Sequence, residues 1–248
     1  MAASAISTYD EREQAILQAA ADCIEASSLL DFTMSAISKA AGMSMGSIYK
    51  HIQTKEDVLL ALGCASTQHF ESLVREIMAM PLPIVARLVA VQLVDPERAS
   101  PFSFGTELSS LLANDAILRR GSPGWLERFF AADRALEDLF RSQLRAAVFT
   151  GDLVVNCDED VDDINTATWS LCVGYVQVAR QRSVRISVTT QAAVTTESVA
   201  MRALQRLLNT YTWTAPLTDA LIAETCAQLE SRGLRAGSVH QGKEENNG

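Results

Sequence analysis

Thr33, Lys39, Ser44, Met45, Ser47, Tyr49, Lys50, His51 and Lys55 crowd into a 23-residue stretch with no acidic side chain. Hydroxyl, imidazole, phenol and ammonium groups are the donors that reach phosphate oxygens and base edges. The three lysines give this stretch a charge of +3 within a chain of net charge −9. Attraction to phosphate is screened over about 8–10 Å at physiological salt, so the local sign outweighs the total. The chemistry implied is recognition of DNA without covalent steps. Lys39, Lys55 and the Thr33 and Ser44 hydroxyls are expected on phosphates; Ser47, Tyr49, Lys50 and His51 are expected at base edges. Met45 would rest against a thymine methyl.

Other constellations point nowhere sharper. Asp158, Glu159, Asp160, Asp162 and Asp163 lack the Gly and Glu that a calcium loop of the EF-hand kind requires at its sixth and twelfth places. They read instead as acids favoured by a helix N-terminus. His69 and His240 have no neighbours at ligand or catalytic spacing, and no nucleophile-elbow, zinc-protease or phosphate-loop motif occurs. Cys23, Cys64, Cys157, Cys172 and Cys226 form no Cys-x-x-Cys pair, which points to reduced thiols. The expectation is no catalysis, no metal and no cofactor.

The recognition residues need elements to hold them. Thr33 and Ser44 each precede helix formers and suit N-caps, and Gly42 suits the left-handed position that closes a helix. Ile37 and Ala41 lie four apart, as do Ile48 and Ile52, so two short helices can pack on each other through these pairs. Thr54 and Asp57 form a capping-box pattern that opens a third helix running to about Met78.

The string from Ala41 through Gly42, Ser44, Gly46, Ser47, Tyr49, Lys50, His51, Thr54 and Lys55 to Glu56 resembles the DNA-binding signature of the tetracycline-repressor (TetR) family. The resemblance spans about residues 9–62, with Tyr9–Ala26 as the first helix and Ile16, Ala20, Cys23 and Ile24 on its inner face. Three positions depart from the usual pattern: Ser27-Ser28 stands for a glycine, Ile52 for Phe, and Met45 for a polar or basic residue. The resemblance implies an all-α homodimer that binds double-stranded DNA with dyad symmetry, and a larger domain that takes a small-molecule effector. A rival reading keeps the DNA binding but replaces the effector with a protein partner.

A chain of 248 residues, 48% hydrophobic, accommodates a reading head and a larger helical domain. The expected division is 1–57 for the helix-turn-helix domain, 58–235 for the effector and dimerisation domain, and 236–248 for a disordered tail. Expected helices cover Ile84–Val94, Ser100–Ala113, Gly124–Thr150, Asp160–Gln181, Glu197–Tyr211 and Leu217–Gly233. Ser183–Thr196 reads as an irregular loop. The start of the chain lacks a basic and a sustained apolar segment, and no uncharged run is long enough to span a bilayer, so a cytoplasmic protein is expected.

Ile164–Ala179 carries Trp169, Leu171, Cys172, Val173, Tyr175, Val176 and Val178 around its circumference, which calls for cover on more than one side. The chain's own core is one expected cover and a second subunit the other, with Glu197–Tyr211 or another helix pair completing the interface; the alternative is a central helix of a monomeric core. Phe102, Phe104, Leu108, Trp125, Phe129, Trp169 and Tyr175 are the expected lining of an apolar effector site. Ser103, Thr106, Asp133, Arg134 and Gln177 are the polar groups nearest to hand for orienting the effector.

Overall fold

A computed structural model describes residues 10–186 and 194–236. The expectations for residues before Asp10, for 187–193 and for the tail after Ala236 lie outside the described residues. Twelve helices and one two-stranded ladder are present among those described, so the fold is all-α. They fall into two compact units, Met1–Ala79 with Pro96–Ala146 and Met80–Asp95 with Ala147–Gly248. The first unit extends well past the head expected at 1–57. No described helix is long and apolar enough to cross a membrane.

In the first unit α1 (Glu11–Ala26) is capped by Asp10, whose Oδ1 accepts from the N–H groups of Arg12 and Glu13 at 2.9 Å. Then follow α2 (Met34–Ala40), α3 (Met45–Ile48) and α4 (Lys55–Met78). The Thr54–Asp57 capping box at the start of α4 is complete in both directions. After the short α6 (Pro96–Ala99) come α7 (Gly105–Leu112), α8 (Asp115–Leu118) and the 28-residue α9 (Pro123–Thr150). The helix expected from Ser100 starts later, because Ser100 Oγ accepts from Phe102 N–H and the chain turns there first. One core joins Ile16, Leu17, Ile37, Ile48, Ile52 and Leu60 to Phe102, Leu108 and Trp125. Gly63 lets this happen at α4: a Cβ there would collide with Leu112 and press on Phe129.

The second unit centres on α5 (Ile84–Leu93), buried nearly all round through Ile84, Val85, Leu88, Val89, Val91 and Leu93. α11 (Val199–Leu208) and α12 (Asp219–Ser231) pack on it. β1 (Leu153–Val154) pairs antiparallel with β2 (Thr212–Trp213), setting buried Leu153 opposite buried Trp213. Trp213 Nε1 donates to the Leu208 carbonyl at 2.7 Å, which closes α11. Gln205 and Asn209 donate to the Leu217 carbonyl at 3.1 and 2.9 Å and fasten the link to α12.

α10 (Glu159–Ile186) runs past its expected end at Gln181 into the expected loop. Its covering differs from the sequence reading as well. Val161, Ile164, Thr168 and Cys172 form one buried line at helical spacing, whereas Trp169, Val173 and Val178 are exposed. The apolar helix covered from all sides is α5.

Candidate nucleic-acid interface

The recognition residues sit on a frame made almost wholly by local hydrogen bonds. Thr33 is extended and its Oγ1 accepts from Ala36 N–H at 3.1 Å, which opens α2. Gly42 closes that helix at φ +63, a conformation that any Cβ would strain. Met43 N–H then reaches back to the Ser38 carbonyl at 3.1 Å, and the buried Ser38 Oγ donates to the Met43 carbonyl at 2.6 Å. Ser44 Oγ accepts from Ser47 N–H at 3.2 Å and opens α3. Although α3 has only four residues, its turn continues through His51 N–H to the Ile48 carbonyl at 2.9 Å. Ile37, Ile48 and Ile52 are fully buried behind this surface. A helix so short holds its shape through that packing.

Thr33, Lys39, Ser44, Tyr49 and Lys50 are exposed, while Met45, Ser47, His51 and Lys55 are half-buried. The capping hydroxyls of Thr33 and Ser44 accept through an oxygen lone pair, so neither cap uses the O–H proton. Two flanking residues turn inward. Lys55 Nζ donates to the Leu30 carbonyl at 2.8 Å and stands 4.3 Å over the Phe32 ring, so it ties down the turn that precedes α2. His51 Nδ1 lies 4.0 Å from Asp10 Oδ2 at the start of α1.

Part of the support comes from distant sequence. Trp125 Nε1 donates to the His51 carbonyl at 3.0 Å, at the end of the recognition turn. Asp57 is fully buried. Its Oδ2 accepts from Gln53 and Thr54 N–H at 3.0 and 3.1 Å, and its Oδ1 from Ser122 N–H at 2.7 Å. Three N–H donors offset the cost of burying that carboxylate. Arg120 Nε meets Glu56 at 3.1 Å. Arg128 holds both Glu13 oxygens at 3.2 and 3.1 Å, with its guanidinium 4.0 Å over Trp125. These arginines neutralise acids of the head, and spacings of 64 and 115 residues left no sequence signal for them.

Asp10, Glu13 and His51 bring ligand-type atoms within 4.8 Å of one another. Glu13 is occupied by Arg128 and Asp10 by backbone N–H groups, so the cluster works as a bracket between α1 and α3. The N–H of Glu13 first, with that of Arg12 and the nearby His51, holds the Asp10 carboxyl below its ordinary range.

Of the expected effector-lining residues, Phe102, Phe104, Leu108 and Trp125 are buried in the core of the first unit. Phe102 and Phe104 stack with ring centres 5.2 Å apart, and Phe129 packs half-buried against the same core. In the second unit Trp169 is 66% exposed and Tyr175 half-buried. Among the polar companions, Ser103 donates to Glu25 at 3.2 Å. Burial, then the charge of Glu137, pushes the Asp133 carboxyl up. Thr106 and Arg134 are exposed and Gln177 half-buried.

Residues 16–62, the stretch that builds this frame, match the family described as bacterial regulatory proteins, tetR family. Over these residues the chain is similar to the DNA-binding domain of TetR-family transcriptional regulators. Solved structures share the fold across most of their length. A bacterial regulatory protein in the tetR family from Rhodococcus RHA1 is 17% identical, with 84% of this chain and 100% of that one covered at a TM-score of 0.52. SmeT, the repressor of the Stenotrophomonas maltophilia multidrug efflux pump SmeDEF, is 21% identical, with 87% and 96% covered at 0.50. No curated protein matches the chain significantly. The TetR-type head thus extends in this chain into an arginine- and tryptophan-bearing brace from the start of α9.

Proposed function

We propose that this TetR-family chain binds an operator of dyad symmetry as a homodimer and releases it when a small, mostly apolar effector binds. The observation that carries the reading is the braced, acid-free surface of Lys39, Ser44, Ser47, Tyr49 and Lys50. Two such surfaces would enter successive major grooves about 34 Å apart. The exposed apolar side chains of α10, Trp169, Val173 and Val178, support a second copy as its cover. Repression is the sense in which we read the regulation. An effector acts only by binding the arrangement that releases DNA more tightly than the one that holds it.

The test is to select bound fragments from random DNA, then measure affinity for the selected sequence across a salt series. Lys39→Ala should weaken binding to all sequences and lower the salt slope by about one ion for each phosphate left without its lysine. Lys50→Ala should in addition change base preference, by about 1–3 kcal/mol at the base it reads. Equal binding of both variants and wild type at every salt concentration would sink the reading.

A further inference from the structure

Gly46 is the second residue of α3 and is exposed. Other glycines of the first unit have an evident reason in the fold. Gly42 takes a left-handed φ of +63, and a Cβ at Gly63, Gly105 or Gly121 would strike Leu112, Ser100 or Leu60. Gly46 has neither reason. Its φ is not positive, and a Cβ built there would meet only Ser44 Oγ, at 4.0 Å, an ordinary contact distance. Alanine would lose less backbone freedom on folding and is the better helix former, so the fold by itself favours alanine at this place. The missing side chain leaves space that the folded chain does not use.

Tyr49 and Lys50 lie three and four residues further on, so they share a face with Gly46, and both are exposed. Their backbone is fixed: Tyr49 N–H donates to the Met45 carbonyl at 3.0 Å and Lys50 N–H to the Ser47 carbonyl at 3.3 Å. Ile48, between them and Gly46 in sequence, is turned inward and fully buried. Bare backbone thus stands beside two outward side chains on a turn that packing holds rigid.

We propose that Gly46 is a specificity-determining residue, where the backbone of α3 comes against one base edge in the major groove. This role rests on the DNA-binding reading above. Glycine serves where backbone must approach a ligand closely. A methyl group at this place would hold the edge away and lengthen the contacts that Tyr49 and Lys50 make beside it. Dispersion and hydrogen bonding both fall off steeply across such a gap. The discrimination is steric: an edge that fits against bare backbone is bound, and a bulkier or misplaced one is excluded.

The full chain and the sequence it selects from random DNA provide the test. Gly46→Ala should unfold at the same temperature as wild type or up to about 4 °C higher. It should bind the selected operator about tenfold or more weakly, and unrelated DNA less than about threefold more weakly, as loss of one base contact requires. Selection repeated with Gly46→Ala should return a sequence changed at one base pair of each half-site. Gly124→Ala, at an equally open and exposed place near the start of α9, should match wild type. A Gly46→Ala chain that binds the operator as tightly as wild type overturns the proposal, and so does one that unfolds at a lower temperature. Equal losses on operator and unrelated DNA would put the approach on the phosphate backbone and overturn it too. An equal loss in Gly124→Ala would do the same by showing that the effect is not local. A wild-type chain that selects no sequence refutes the DNA-binding reading itself, and the role of Gly46 falls with it.

Discussion

Outward on the recognition turn stand Lys39, Ser44, Tyr49 and Lys50, while outward on α10 stand Trp169, Val173 and Val178. Hydroxyl and ammonium groups rest in water at little cost, so the surface proposed to read DNA can stay uncovered. Apolar groups left in water forgo about 25 cal/mol for each Å² that could be buried, so such a face marks where another apolar surface belongs. The two regions also differ in how they are made rigid. The recognition turn is too short to hold itself and borrows Trp125, Ser122 and Asp57 from behind. α10 is 28 residues long and buries a stripe of its own from Val161 to Cys172.

Breaking the brace should have the largest effect. Trp125→Ala removes a buried ring and a hydrogen bond, and is expected to destabilise the first unit by about 3–5 kcal/mol and to abolish operator binding. Trp125→Phe keeps most of the packing but leaves the His51 carbonyl unpaired, for about 1–3 kcal/mol. Denaturant unfolding with parallel DNA titration reads both. Unchanged DNA affinity in Trp125→Ala would mean that the head holds its shape alone.

The α10 face can be broken by charge. Val173→Asp places an unpaired carboxylate where a second copy is expected to seat, and should weaken the dimer by roughly 1–3 kcal/mol, seen as monomer in sedimentation. A dimer of undiminished affinity would put the interface on other helices.

Lys55 sharpens the boundary between support and recognition. With its ammonium on the Leu30 carbonyl, Lys55→Ala should lower stability by about 1 kcal/mol, allowing for its partial exposure. The salt slope of DNA binding should change less than in Lys39→Ala. A slope reduced by a full ion with stability intact would place this ammonium on phosphate instead.

The smallest effect concerns pH. Asp133 has a carboxyl raised by burial and by Glu137. A carboxyl whose folded value is raised binds its proton more tightly when folded. Its favourable contribution is therefore present below the ordinary carboxylate range and lost as pH rises through the folded value. Asp133→Asn should slightly raise Tm at neutral pH and flatten the stability profile just above the ordinary range. A steeper profile would mean that the charged form is the one stabilised.

Much of the head was legible because its determinants lie within a few residues of one another. The Thr33 and Ser44 caps, the Thr54–Asp57 box and the Gly42 turn are hydrogen bonds closed over three to five residues, and residue type alone selects them. The sites farther along were less legible. Phe102, Phe104, Leu108 and Trp125 read as effector lining because large apolar side chains suit a pocket and a core equally. Tertiary packing placed these four in the core behind Ile48 and Ile52.

By itself, the sequence determined the helices, their caps and the acid-free recognition segment, since each depends on spacing along one stretch of chain. Only the tertiary structure decided that α5 is the helix covered on all sides while α10 keeps an exposed apolar face. It also decided that Lys55 serves the Leu30 turn, and that Trp125 and Asp57 join the head to the start of α9. The hydrophobic effect that gathers these segments is non-directional and pattern alone does not choose partners. Partner choice is settled by shape, as where Gly63 admits Leu112 and Phe129, and by buried polar atoms that must find a donor across 65 or more residues.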